Sequence, residues 1–147
     1  MKANGDHLVK RISILLFGSL LPMLSLPGNA QVVVIANPSV AAANVSRTEL
    51  RDVFTGASSS LKDGAQVTPV LLRQGAVHTE FLTLYIDKSD SGFRAGWRSI
   101  LFSGQGVMPR TLDSDAAVVE YVAHTAGAIG YIGRAAPHEG VKILGVR

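Results

Sequence analysis

The chain has 147 residues, which is about the length of one domain. Hydrophobic residues make up 47% of it and charged residues 17%, a composition that excludes a disordered or strongly charged tail. Because the chain contains no cysteine, disulfide bonds, thiolate metal sites and a lipid-modified cysteine anchor are excluded as well.

The first 30 residues have the features of a secretory signal peptide. An apolar run over residues 12–26 is too short to span a bilayer comfortably, and small residues at positions 28 and 30 suit cleavage before Gln31. Three basic residues precede the run: Lys2, Lys10 and Arg11. We therefore expect a cleaved signal peptide at 1–30 and one periplasmic domain over 31–147. An uncleaved N-terminal anchor is the alternative.

Cleavage at this point would change the charge balance. The whole chain has 14 basic and 11 acidic residues and a net charge of +3. The first 30 residues hold three of the basic and one of the acidic residues, so the remainder would carry a net charge of +1. The remaining charges are interspersed, with no basic run. We therefore do not expect the domain to bind nucleic acid.

The exported part begins with a predicted strand and a well-marked helix. Residues 32–35 form a β-branched run that ends before Asn37 and Pro38, which predicts a strand buried on both faces. Ser46 and Glu49 have the spacing of a capping box, and Gly56 stands where a left-handed C-terminal cap belongs. The helix between them would pack through three apolar residues: Leu50, Val53 and Phe54.

Helices and strands alternate in the rest of the chain. Residues 67–72 predict a second strand, and residues 128–132 and 141–146 predict two more. A helix from Ala76 would bury Val77, Phe81, Leu84 and Tyr85. A second helix, capped by Asp90 or Ser91, would bury Phe93, Trp97, Ile100 and Leu101. A third, capped by Asp113 or Ser114, would bury Val118, Tyr121 and Val122 and end before Gly127.

This alternation predicts an α/β domain with a mostly parallel or mixed sheet and flanking helices. Sheets of this kind place their working surface at the carboxyl ends of the strands, where helices begin. We therefore looked for functional residues at the ends of the predicted strands.

One such end is the segment 73–79, R-Q-G-A-V-H-T, where the second strand passes into a helix. The first turn of a helix has unpaired N–H groups and a partial positive charge, so it suits an anion. Arg73 would add a planar guanidinium, Gly75 would allow close backbone approach, and His78 and Thr79 would donate hydrogen bonds. The alternative is an ordinary surface turn with a solvated arginine.

No residue pattern indicates catalysis or a resident cofactor. The H-x-E sequence at 78–80 matches one half of a zinc deaminase motif, but the cysteine half is absent. His124 and His138 each lack a second ligand at metal spacing. We therefore expect a non-enzymatic protein without a metal or a cofactor.

Three segments together carry a resemblance to a known family. Residues 46–56 resemble the segment L-x-x-I-F-x-G of the periplasmic phosphate-binding proteins of Pst-type ABC transporters. Residues 67–81 are similar to the strand and helix that follow in that family, and residues 125–132, T-A-G-A-I-G-Y-I, are similar to its T-P-G-A-I-G-Y-V segment. The resemblance spans residues 32–134. It implies one lobe of the type II periplasmic binding protein fold.

The resemblance also implies a ligand-binding turn of the form R-x-D-G-S-G-T. Arg73 falls on its arginine, Gln74 on the variable position and Thr79 on its threonine. Gly75 stands in place of the aspartate, which would accept a hydrogen bond from a protonated phosphate. The remaining three positions also depart, with Ala76, Val77 and His78 in place of Gly, Ser and Gly.

The expected function is therefore binding of phosphate or a related oxyanion, without chemistry, for a membrane transporter or a sensor. The family binds its ligand between two lobes, whereas this chain is long enough for one. Either the affinity is then weak, or another chain, such as a second copy, completes the cleft. The alternative is an interaction module that has lost its ligand and docks on a transporter, porin or sensor.

Overall fold

The computed structural model of the protein describes residues 31–147, so the predicted signal peptide at 1–30 lies outside the described residues. The strands are β1 (Val32–Ala36), β2 (Asn44–Val45), β3 (Thr68–Leu72), β4 (Arg110–Leu112), β5 (Ala128–Gly133) and β6 (Lys142–Val146). The helices are α1 (Arg47–Thr55), α2 (Ala76–Phe81), α3 (Asp90–Phe102) and α4 (Asp115–His124). Helix α2 continues directly into a π-helical turn (Leu82–Ile86).

The six strands form one sheet in the order β2-β6-β1-β5-β3-β4. Strand β3 is parallel to β4 and β5, and β2 is parallel to β6, whereas β1 is antiparallel to both of its neighbours. The prediction of a mixed sheet in an α/β domain is confirmed. All five residues of β1 are buried, as predicted, because the strand lies inside the sheet with helices packed on it.

Strand β5 shows how the two faces of the sheet are covered. A side chain at Gly130 would meet Val118 and Val122 of α4, so this face of β5 lies against α4. The next residue, Tyr131, packs against Phe54 of α1 and Phe81 of α2. Since neighbouring residues of a strand point to opposite faces, α4 covers one face and α1 and α2 cover the other.

The predicted capping box of α1 is confirmed. The Glu49 N–H donates to Ser46 Oγ at 3.1 Å, and the Ser46 N–H donates to a Glu49 carboxylate oxygen at 2.8 Å. Gly56 ends the helix with φ of +80°, the left-handed conformation that the sequence predicted. Leu50, Val53 and Phe54 are buried, also as predicted.

The predicted apolar face of α2 is confirmed in part, since Phe81 is buried and Val77 and Tyr85 pack against the core. The structure buries His78, Phe81, Leu82 and Ile86, while Val77, Leu84 and Tyr85 are only partly buried. A π-helical turn holds one more residue than an α-helical turn, so the buried face shifts along the sequence. The shift places Ile86 in the core, whereas His78 precedes the π-helical turn and shares the α-helical face of Phe81 and Leu82.

Three details of the later elements also differ from the prediction. Helix α3 is capped by Ser89, which accepts a hydrogen bond from the Gly92 N–H at 3.1 Å, and not by Asp90 or Ser91. Leu101 is 42% exposed where burial was expected, whereas Trp97 is a core residue as predicted. The short strand β4 was not predicted. Helix α4 begins after Ser114, one of the two expected caps.

Candidate functional site

The turn between β3 and α2 lies at the carboxyl edge of the two parallel strands β3 and β4. The Arg73 N–H donates to the Leu112 carbonyl at 2.9 Å, which continues the pairing of these strands by one residue. Arg73, Gln74 and Gly75 are exposed. Gly75 has φ of +109°, a conformation that other residues rarely adopt, so its presence permits this sharp entry into α2.

The first three backbone N–H groups of α2 have no partner in the described part of the chain. The first N–H of α2 to bond within the helix is that of Thr79, which donates to the Gly75 carbonyl at 3.0 Å. No acceptor among residues 31–147 takes a hydrogen bond from the N–H of Ala76, Val77 or His78, and no side chain caps the helix. These three N–H groups are therefore unpaired within the described residues, as is usual in the first turn of a helix.

Arg73 forms an ion pair that the sequence did not predict. Its Nε lies 2.5 Å from Oδ1 of Asp113, the residue that follows β4. The two side chains are 55% and 77% exposed, so solvent screens the pair and it adds little stability. A guanidinium has five N–H donors, and the pair with Asp113 occupies Nε alone. Arg73 therefore keeps donors for a further acceptor.

His78 does not face the turn with its side chain. The ring is 3% exposed, with Nδ1 2.5 Å from the Tyr131 hydroxyl and Nε2 2.9 Å from Asp90 Oδ1. Both ring nitrogens are thus engaged within the protein, and the expectation that this ring binds a ligand is not supported by its position. The backbone N–H of His78 remains among the open donors. Thr79 is exposed, one helical turn into α2.

A second arginine lies beside the turn. Arg94 Nη2 donates to the Arg73 carbonyl at 2.7 Å, and its Nε donates to Asp90 Oδ2 at 2.9 Å. The hydrogen bond from His78 is the main cause that lowers the pKa of Asp90, and Arg94 lowers it further. Burial raises the pKa of Tyr131. The Asp90 carboxylate therefore connects the buried histidine to the arginine that holds the turn.

No metal centre accompanies this turn within residues 31–147, where no group of three or more histidine and carboxylate side chains is placed to hold an ion. His124 Nδ1 lies 2.8 Å from the Glu120 carbonyl in its own helix. His138 Nδ1 lies 3.1 Å from the Ala136 carbonyl. In the same range, no helix is both long and apolar enough to cross a bilayer.

The fold resembles several solved structures, although no protein-family model matches the sequence and no curated protein is detectably similar to it. The protein PstS from Borrelia burgdorferi has a TM-score of 0.61 and 18% identity over 80% of this chain. A protein from Clostridium perfringens, described as a phosphate ABC transporter substrate-binding protein and solved with bound phosphate, has a TM-score of 0.60 and 16% identity over 79%. A phosphate transport receptor from Vibrio cholerae has a TM-score of 0.52 and 16% identity.

These similarities confirm the resemblance at the level of fold. The chain covers 47%, 44% and 46% of those three structures in turn, so it corresponds to a lobe-like part of each. The predicted single lobe of an α/β periplasmic-binding-protein-like fold is therefore confirmed. The neighbours from Clostridium perfringens and Vibrio cholerae are named as a phosphate transporter substrate-binding protein and a phosphate transport receptor.

Proposed function

We propose that the protein is an exported, non-enzymatic solute-binding protein that takes phosphate or a related oxyanion at the turn between β3 and α2. The proposal is carried by one observation. Three backbone N–H groups at the start of α2 have no acceptor within residues 31–147, and they follow the exposed Arg73 by three to five residues at the carboxyl end of β3. Amides and a guanidinium are the donors that an oxyanion needs to replace its hydration shell.

Each residue of the turn has a defined part in this proposal. Arg73 supplies charge-assisted hydrogen bonds, Gly75 keeps the approach to the amides open, and His78 contributes through its backbone N–H. The exposed side chains of Gln74 and Thr79 are further donors at the rim. Position 75 carries no carboxylate, but Asp113, which follows β4, forms an ion pair with Arg73. In this proposal Asp113 accepts a hydrogen bond from the O–H of a protonated phosphate.

Binding by this chain alone should be weak. The Arg73 side chain is more than half exposed, and ionic contacts in that environment contribute only about 0–1 kcal/mol each. We therefore expect millimolar affinity for the isolated chain, or about −4 kcal/mol. Tighter binding would require a second surface, supplied by a membrane transporter, a sensor or a second copy of the chain in the periplasm.

Calorimetric titration of the purified protein with phosphate and with sulfate tests the proposal. We expect heat of binding at millimolar phosphate and its loss in Arg73→Ala. Arg98→Ala is the matched control, because Arg98 is an exposed arginine of α3 that forms no hydrogen bond or ion pair with the turn. The absence of binding heat in the wild type, or equal heats in the two variants, would refute oxyanion binding at this turn.

A second candidate function is docking on a membrane-associated partner without any solute. The observation that favours it is the ion pair between Arg73 and Asp113, since the guanidinium already has a carboxylate partner. A stoichiometric partner that co-purifies with an anion-free protein would support this function. An anion retained by the purified protein through gel filtration would count against it.

A further inference from the structure

A groove of about 710 Å³ lies at the other end of the strands that carry the turn. Thr68 and Pro69, at the start of β3, and Arg110, at the start of β4, line this groove, whereas Arg73 and Asp113 follow the ends of the same strands. A five-residue strand spans roughly 15 Å, so the groove and the turn are separate surfaces. The volume of the groove is in the range of small-molecule binding sites.

The floor of the groove is built around Trp97. The indole Nε1 donates to the Phe54 carbonyl at 3.0 Å, which fixes the ring with its far edge toward the groove. A side chain at Gly56 would meet Trp97 at 2.9 Å and Ile100 at 2.8 Å, and one at Gly106 would meet Ile100 at 2.8 Å. The two loops that carry these glycines can approach the floor only because neither residue has a side chain.

The walls of the groove add further apolar surface. Val107 is 87% exposed and Met108 is 37% exposed, and both line the groove together with Pro109. Exposed apolar side chains that form a contiguous patch beside a concave surface are typical of binding sites. Single exposed apolar residues, in contrast, are common on any protein surface.

Arg110 is the one charged residue that the described part of the chain contributes to this lining. Its guanidinium lies 5.1 Å from the centre of the Tyr121 ring, and stacking of this kind orients the plane of the group. Among residues 31–147, no carboxylate pairs with Arg110, and no acceptor takes a hydrogen bond from its side chain. The groove therefore combines an apolar body with a positive charge that has no counter-ion.

We infer that this groove binds an amphipathic carboxylate, with its apolar part on Trp97 and Ile100 and its carboxylate on Arg110. The fit follows from charge complementarity and from the apolar lining. A guanidinium whose face is stacked on an aromatic ring still presents its N–H edge, and that edge matches the two oxygens of a carboxylate. A cationic amphiphile would be repelled at the same position.

The test uses decanoate, decanol and decyltrimethylammonium, which share an apolar chain and differ in charge. Trp97 is the only tryptophan of the chain, so its fluorescence reports on the groove alone. We expect a saturable change with decanoate. In Arg110→Gln the affinity for decanoate, relative to that for decanol, should fall about fivefold to tenfold. The matched control Arg98→Gln, which loses the same charge from exposed α3, should keep the wild-type ratio, as should Arg73→Ala.

Three results would overturn the inference. The first is a ratio of decanoate to decanol affinity that Arg110→Gln leaves unchanged. The second is binding of decyltrimethylammonium as tight as that of decanoate. The third is a groove that a second copy of the chain covers. Sedimentation would then show a dimer that Val107→Asp dissociates, and decanoate would leave the fluorescence of Trp97 unchanged. Val107 suits this variant because its high exposure makes the substitution tolerable to the fold.

Discussion

The hydroxyl of Tyr131 lies 2.5 Å from His78 Nδ1 and also accepts the Leu72 N–H at 3.1 Å. If the ring proton of His78 is on Nε2, each of these side chains has a hydrogen-bond partner, because Nε2 donates to Asp90 and Nδ1 accepts from the Tyr131 hydroxyl. One buried hydroxyl thus joins the last residue of β3, the first helical turn of α2 and strand β5. It lies directly beneath the candidate anion-binding turn.

Removing this hydroxyl should destabilise the protein. Tyr131→Phe keeps the ring, which stacks on Phe81 at 3.8 Å between centroids, but leaves the Leu72 N–H and His78 Nδ1 without a partner. We expect the free energy of unfolding, measured with urea, to fall by about 1–3 kcal/mol. Tyr121→Phe is the control, because the Tyr121 hydroxyl forms no hydrogen bond within residues 31–147. Equal losses in both variants would contradict this role for Tyr131.

Asp90 should make stability depend on pH in acid. The hydrogen bond from His78 and then the one from Arg94 hold the pKa of its carboxyl below the ordinary value of 3.8. A carboxyl with a lowered pKa stabilises the fold above its ordinary pKa, and this stabilisation is lost as the pH falls through the folded-state pKa. Because the side chain is 47% exposed, we expect a contribution below about 1 kcal/mol.

Urea unfolding of the wild type and Asp90→Asn at a series of pH values measures this contribution. The wild type should be the more stable of the two at neutral pH, and the difference should shrink below about pH 4. Asp52→Asn is the control, because the Asp52 side chain has no hydrogen bond within residues 31–147. A difference between wild type and Asp90→Asn that stays constant with pH would exclude the mechanism.

The parts of the fold that depend on local interactions could be predicted from the sequence. Helix α1 is an example, because Ser46, Glu49 and Gly56 lie within the helix or next to it. Their capping bonds form between residues three apart, and the backbone of Gly56 is set by the helix that it ends. Segments of this kind carry their own signal.

The candidate site could be predicted only in part. The open amides and Arg73 follow from a strand that ends where a helix begins, and that boundary is visible in the sequence. Asp113 reaches Arg73 from 40 residues away through the pairing of β3 with β4. Strand β4 has only three residues, too few alternating positions to be recognised in the sequence. The sequence therefore predicts only a helix-capping role for Asp113, which follows it.

The burial of His78 depends on contacts that no local pattern encodes. Its partners Tyr131 and Asp90 lie on β5 and α3, and the hydrogen bond to Tyr131 spans 53 residues. The sequence around a single histidine at the start of a helix therefore does not predict that its side chain is buried. The π-helical turn after α2, which places Ile86 in the core, has no simple sequence signature either.

Gly56 should not tolerate a side chain. Gly56→Ala would place a methyl group 2.9 Å from Trp97 and 2.8 Å from Ile100, at φ of +80°. We expect a loss of about 2–4 kcal/mol in the free energy of unfolding, from backbone strain and overpacking together. Gly64→Ala separates the two causes, because Gly64 has φ of +84° and no atom within 4 Å of the added carbon. It should lose about 1–2 kcal/mol, from backbone strain alone.

Asp113 should set the choice between phosphate and sulfate if the turn after β3 binds an oxyanion. At pH 7 sulfate has no proton, so the Asp113 carboxylate can only repel it, whereas phosphate retains an O–H that donates a hydrogen bond to the carboxylate. In Asp113→Asn the repulsion disappears and Arg73 loses its competing partner, 2.5 Å away. We expect calorimetry to show sulfate affinity rising about fivefold relative to phosphate. Asp63→Asn removes the same charge from the turn before β3 and should leave the ratio unchanged. If Asp113→Asn also leaves it unchanged, the carboxylate does not face the bound anion, and selectivity must come from the backbone donors alone.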